Sequence, residues 1–124
     1  MTVRILIVDD TRSDQYLAQH FFRRHLPNAV CEVASDGTEA LEVLSRSEEP
    51  FDFVLLDINM PRMNGLEFLE EWARVGHTHP PVFVMLTSSE QSSDREATSR
   101  YDFVVDYLVK PLRLEDLKRL PVPT

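Results

Sequence analysis

Short apolar runs rich in β-branched residues alternate with stretches of helical apolar spacing along the whole of this chain, and that alternation leaves few architectures open. Residues 3–8, 30–34, 51–56, 81–86 and 104–109 are the strand candidates, the first a β-branched run as expected for burial on both faces and 81–86 the most apolar. Between them, residues 13–26 carry Tyr16, Leu17, Phe21 and Leu26 at roughly helical spacing, and Pro27 stops the run. A turn at Asp36, Gly37 and Thr38 opens a second helix, with Asp36 and Glu39 at capping-box spacing. Its apolar face is Ala40, Leu41, Val43 and Leu44, and it fades by Pro50. Pro61, Asn64 and Gly65 punctuate a loop, after which Leu66, Phe68, Leu69 and Trp72 form a third stripe ending near Gly76. Residues 88–100 are rich in Ser and charge, so the fourth helix is expected to be short or irregular. A brief final helix over residues 113–120 precedes Pro121. This order predicts an α/β fold with a parallel sheet, its right-handed crossovers placing helices on both faces.

At 124 residues the chain has room for one hydrophobic core, and residues 1–124 read as a single domain. Its 43% apolar and 27% charged residues are those of a globular protein, not a disordered one. A net charge of -8 argues against the basic footprint of a nucleic-acid-binding surface and disfavours an anionic membrane. No run is long enough to span a bilayer, and MTVRILIVDD ends in two aspartates without a cleavage pattern, so a reduced cytoplasm is the expected setting. The single Cys31 cannot form an internal disulfide and is expected as a small buried residue.

In an open parallel sheet, ligands collect beyond the carboxyl ends of the strands. Asp9 and Asp10 follow the first strand, Asp57 the third, Thr87 and Ser88 the fourth and Lys110 the fifth, so all meet at one edge. Taken singly, each has a plain reading: an Asp-Asp pair as a turn, Thr87 as a strand-end hydroxyl, Lys110 as a surface charge. Placed together, three carboxylates repel, each pair by roughly 4 kcal/mol at 4 Å and an effective dielectric of 20, unless some are protonated or a cation sits among them. Oxygen ligands at an open site suit Mg2+, which keeps waters that phosphoryl oxygens can replace. Lys110 then supplies a point charge, Thr87 a hydroxyl donor, and Asp57 a nucleophile for phosphoryl transfer.

ILIVDD, LLDINMPRMNG, the Thr87-Ser88 pair and YLVKP stand in the order and spacing of the receiver domain of two-component response regulators, which the chain resembles over almost its whole length. The resemblance implies a doubly wound, flavodoxin-like fold: a five-stranded parallel sheet in the order 2-1-3-4-5, flanked by five helices. It implies Asp57 as phosphoacceptor, with Mg2+ held directly by Asp10, Asp57 and the backbone carbonyl of Asn59, and by Asp9 largely through water. Thr87, Lys110 and the amide of Ser88 would hold the phosphoryl oxygens. Tyr107 matches the aromatic that turns inward as the threonine moves; the residue-level alternative is a half-buried strand aromatic. The Lys110-Pro111 bond is expected to be cis. The implied donor is a sensor histidine kinase or a histidine phosphotransfer protein, with a downstream target protein, no nucleic acid, no membrane insertion, and a monomer or weak dimer. Asn59 and Ser89 are expected to flank the path of the water that removes the phosphoryl group. The chain departs from the family's pattern in lacking a Gly-Ala pair before the fifth strand and in its abbreviated last helix, which weakens any borrowed dimer surface.

Other residues read more plainly. His77 and His79 lack a further ligand nearby and suit a polar loop, His20 and His25 a helix surface, and Phe68 and Trp72 the core. Phe21 and Phe22 are adjacent, so one of them is expected on an exposed face of the first helix. Two rival functions would each leave a mark in the sequence. An interaction module that works without phosphorylation would be suggested by a missing motif residue, and none is missing. A phosphatase with an aspartyl nucleophile would need a second acid where Asn59 stands, and a covering domain. No output domain is recognisable, so an adaptor, relay or phosphate-drain role, or a piece of a longer protein, is expected in place of direct transcriptional control.

Overall fold

The protein is described by a computed structural model covering residues 2–77, 80–88 and 91–123. Five strands, β1 (Arg4–Val8), β2 (Val30–Ala34), β3 (Phe53–Leu56), β4 (Val82–Thr87) and β5 (Val104–Val109), form one parallel sheet in the order β2-β1-β3-β4-β5. Four α-helices alternate with them: α1 (Arg12–His25), α2 (Gly37–Arg46), α3 (Gly65–Arg74) and α4 (Ser92–Ser99). The fifth and last is a 3-10 helix, Leu114–Arg119. This is the expected doubly wound architecture with the expected strand order.

Alternation along the strands divides the core. Leu6, Val8, Val54, Leu56, Phe83 and Met85 face Ala40, Val43, Phe68, Leu69 and Trp72 of α2 and α3. Ile5, Ile7, Phe53, Leu55, Val84 and Leu108 face Ala18, Phe21 and Phe22 of α1, and Leu120 beyond the last helix. Successive side chains in a strand point to opposite faces, so a strand covered on both sides reads as a continuous apolar run. At the far end of α3, Trp72 stacks on His77 with ring centroids 3.4 Å apart and meets Phe83 edge-on at 5.5 Å.

The first helix corrects the sequence reading. Phe21 and Phe22 are both buried, in an edge-to-face pair at 5.5 Å, with Phe22 resting on Phe53. Tyr16 and Leu17 are instead 57% and 52% exposed. The buried stripe is centred on Ala18, Phe21 and Phe22, and adjacent aromatics fit one broad helix face when a small residue stands a turn earlier. The third strand begins at Phe53, two residues later than expected, because the Asp52 side chain accepts from the Arg4 amide at 2.7 Å. Cys31 is only half-buried, and desolvation raises its thiol pKa. α4 is short but regular, and the last helix is 3-10 in place of α.

Asp36 is fully buried, and its side chain caps α2 by accepting from the Glu39 amide at 2.9 Å. Its other oxygen accepts from Arg62, whose backbone has a φ of 63° in the loop after β3. A complete capping box opens α3, between Asn64 and Glu67. Burial alone would raise the pKa of Asp36; the Glu39 amide and the Arg62 guanidinium outweigh it and hold the carboxyl below its ordinary value. A depressed carboxyl stabilises the fold fully above the unfolded value of about 3.9 and loses that contribution as pH falls through the folded value. Asp36→Asn keeps the cap but loses the charged partner of Arg62, and is therefore expected to cost about 1–2 kcal/mol at neutral pH, with the gap from wild type closing below about pH 4. Urea unfolding of both proteins across that range checks it; a gap independent of pH would sink the assignment.

Candidate functional site

The sheet reverses its winding between β1 and β3, so the loops leaving these neighbouring strands diverge and open a crevice at their carboxyl ends. Backbone ladders fix what stands there. The Asp9 amide donates to the Ala34 carbonyl at 3.0 Å, and the Asp57 amide to the Val8 carbonyl at 3.0 Å, so each acid is seated by the last rung of a strand pair. Asp9 Oδ1 accepts from the Thr11 amide at 3.0 Å, and Gln15 Nε2 donates to the Asp9 carbonyl at 2.6 Å. Asp57 Oδ1 accepts from the Ile58 amide at 2.7 Å. On the other side, the Lys110 amide donates to the Thr87 carbonyl at 2.9 Å, closing the β4–β5 ladder and aligning the two residues.

Lys110 Nζ lies 2.7 Å from Asp9 Oδ2, 2.8 Å from Asp57 Oδ2 and 2.9 Å from Asp14 Oδ2. Desolvation pulls the ammonium pKa down, but the hydrogen bonds to Asp57, Asp9 and Asp14 outweigh it, and the net shift is upward, so Lys110 stays charged. For Asp9 the balance goes the other way: burial raises its pKa against the opposing pull of Lys110 and the Thr11 amide. Asp9, Asp10 and Asp57 each present an oxygen within 4.8 Å of the others, the first and last buried and Asp10 exposed. A single ammonium cannot neutralise this group. An all-oxygen donor set with one side open to water is the chemistry that Mg2+ accepts, so the residues present fit that ion.

The remaining expected residues fall nearby. Thr87 is fully buried at the end of β4, Ser88 follows it at the surface, and Asn59 is exposed two residues beyond Asp57. The Lys110-Pro111 peptide is cis, as expected. Tyr107 is buried, not half-buried: Arg95 of α4 lies over its ring, 4.4 Å from the centroid, and Arg119 donates to its carbonyl at 3.1 Å. Ser89 and His79 lie outside the described residues, while His77 is the exposed partner of Trp72. His20 is exposed and His25 sits against Phe21.

Two participants were missed in the sequence. Asp14 lies in the first turn of α1, one turn before Ala18, so its acidic side chain continues the stripe that faces the sheet. A carboxylate at buried-face spacing was the signal that could have found it. Arg95 had no comparable signal, since its partner Tyr107 comes from a distant element.

These features define a class: a doubly wound α/β domain whose switch point holds clustered acids faced by a lysine. The chain belongs to the response regulator receiver domain family, which it matches over residues 5–120. It is 39% identical over 119 residues to the response regulator MprA of Mycobacterium ulcerans (strain Agy99), covering 94% of this chain and 47% of MprA. It is 31% identical to the two-component response regulator ARR14 of Arabidopsis thaliana, covering 95% of this chain and 30% of that protein. The chain thus spans less than half the length of these two relatives. Among solved structures, the chemotaxis response regulator CheY4 of Vibrio cholerae superposes with a TM-score of 0.79 at 27% identity, covering 96% of this chain and 98% of CheY4. The response regulator TrrA of Thermotoga maritima, in complex with Mg2+–BeF, matches with a TM-score of 0.76 at 26% identity, covering 94% of each chain. Among the described residues no helix is long and apolar enough to cross a membrane.

Proposed function

We propose that residues 1–124 act as one receiver unit in which Asp57 takes a phosphoryl group from the phosphohistidine of a sensor histidine kinase or a histidine phosphotransfer protein. The observation that carries this reading is the placement of Asp57 at the switch point, 2.8 Å from Lys110 and clustered with Asp9 and Asp10. An Asp57 oxygen attacks phosphorus, the P–N bond to the donor imidazole breaks, and the imidazole leaves with the electron pair. Lys110 and the Thr87 hydroxyl bind the phosphoryl oxygens, with the Ser88 amide as a further donor. Asp10, Asp57 and the Asn59 carbonyl would hold Mg2+, with Asp9 taking part largely through water. When bound, the ion supplies charge neutralisation at the oxygens of the acid and the phosphoryl group.

Phosphorylation then works as a switch. The new negative charge draws Thr87, Tyr107 follows from its place under Arg95, and the surface along α4 and β5 changes for a target protein. Attack by water, at a rate that Asn59 and Ser89 are expected to tune, restores the resting state, so the domain signals and does not turn over a substrate pool. The net charge of -8 supports a protein partner and not a nucleic acid or an anionic membrane, and a cytoplasmic setting and a monomer or weak dimer complete the reading.

Incubation with acetyl phosphate or phosphoramidate tests the reading by intact mass. One phosphoryl group is expected in Mg2+ and none in excess chelator. A folded protein that gains none under either condition would point instead to a binding module that works without phosphorylation.

A further inference from the structure

Lys110 has more acids around it than the proposed chemistry uses. Its ammonium has three protons to donate, and Asp9, Asp57 and Asp14 lie 2.7, 2.8 and 2.9 Å away, so every donor is engaged. Asp9 and Asp57 belong to the group of oxygens that converge on one point, whereas Asp14 does not. A cation at that point would draw on the charge of the first two and leave Asp14 with Lys110 alone. Lys110 must also meet a phosphoryl oxygen. Asp14 and that oxygen then compete for one ammonium.

The backbone of Asp14 is held in place. It lies in the first turn of α1, on the stripe that continues through Ala18, Phe21 and Phe22 against the sheet, so the helix cannot turn it away. Its side chain is 32% exposed, against 5% for Asp9 and 7% for Asp57, so it alone of Lys110's three acids can swing readily into water.

We propose that Asp14 is a positioning residue that sets the balance between the metal-loaded and the phosphorylated site by competing for Lys110, a role that rests on the function proposed above. Its charge favours the dication and opposes the phosphoryl group. Holding Lys110, it also keeps the ammonium at the site until the phosphoryl group arrives. Removing the charge while keeping the shape has opposite effects on the two ligands, a signature that loss of packing would not produce.

Asp14→Asn and Asp14→Glu are compared with wild type in two titrations. Mg2+ alone is followed by amide NMR shifts, and beryllofluoride at saturating Mg2+ by fluorine NMR. The expected result for Asp14→Asn is Mg2+ binding weakened and beryllofluoride binding tightened, each by about fivefold, the size of one partly screened charge pair. Asp14→Glu is expected to return both toward wild type. Equal affinities in all three proteins, or both ligands weakened together, would overturn the proposal while leaving the acceptor chemistry intact. A wild type that binds neither ligand would remove the function beneath it and this role as well.

Discussion

Asp57→Asn is expected to gain no phosphoryl group from acetyl phosphate or phosphoramidate under conditions where the wild type gains one that is lost on hydrolysis. The amide keeps the shape of the carboxylate and can still accept from the Ile58 amide, but it has no anionic oxygen to attack phosphorus. Nothing nearby should replace it. Asp10 is exposed and Asp9 is committed to the Thr11 amide and Lys110, so neither stands at the end of β3 where the phosphoryl group would be held. Folding stability is expected to change by no more than about 1 kcal/mol, because losing one of Lys110's contacts is offset by relief of repulsion among crowded acids. Intact mass and a thermal melt, run side by side, separate loss of chemistry from loss of fold. Full labelling of the variant would move the acceptor to another residue.

Gly65→Ala is expected to destabilise the fold by about 3 kcal/mol or more and to weaken beryllofluoride binding. The reason is space and not backbone freedom, since no glycine among the described residues has a positive φ. A Cβ on Gly65 would stand 2.3 Å from the Asp57 carbonyl oxygen and 2.9 Å from Ile58 Cα. Both are backbone atoms that a rotamer change cannot move. The Gly65 amide also donates to the Ile58 carbonyl at 2.8 Å, so the start of α3 is clamped to the segment carrying the proposed acceptor. Relief of the clash has to move that segment, and with it Asp57. Denaturant unfolding and a beryllofluoride titration measure the two effects; a variant as stable as wild type with unchanged binding would show that the α3 start yields freely.

The part of the fold written in apolar periodicity was legible. The three central strands show as apolar runs because both of their faces are covered, and the edge strands β2 and β5 show more weakly because they are only partly buried. The acids and lysine fall at the strands' carboxyl ends by simple counting. Strand order was not written there. Local spacing does not say which strands pair, and the order came from the resemblance. Contacts between distant elements were equally out of reach, which is why the Asp36–Arg62 pair and the Arg95–Tyr107 stack were not anticipated. On α1 the error was one of phase. Tyr16, Leu17 and Phe21 looked like a stripe, but Ala18 contributes little to such a pattern and still marks the centre of the buried face. The site reading missed Asp14 for the same reason, since a misplaced face hides an acid that continues the true one.

The stacked pair at the far end of α3 gives the molecule a well-placed optical probe. Trp72 is the chain's one tryptophan, and its neighbour Phe83 pairs with Val54 in the sheet. Asp57 follows Val54 by three residues, about 10 Å along the strand, and the indole lies at the opposite rim of the sheet. Its emission reports whether α3, His77 and β4 remain assembled, without direct contact with whatever occupies the acid edge. Occupancy of that edge is then readable as a shift in the unfolding midpoint, free of any quenching by the ligand itself.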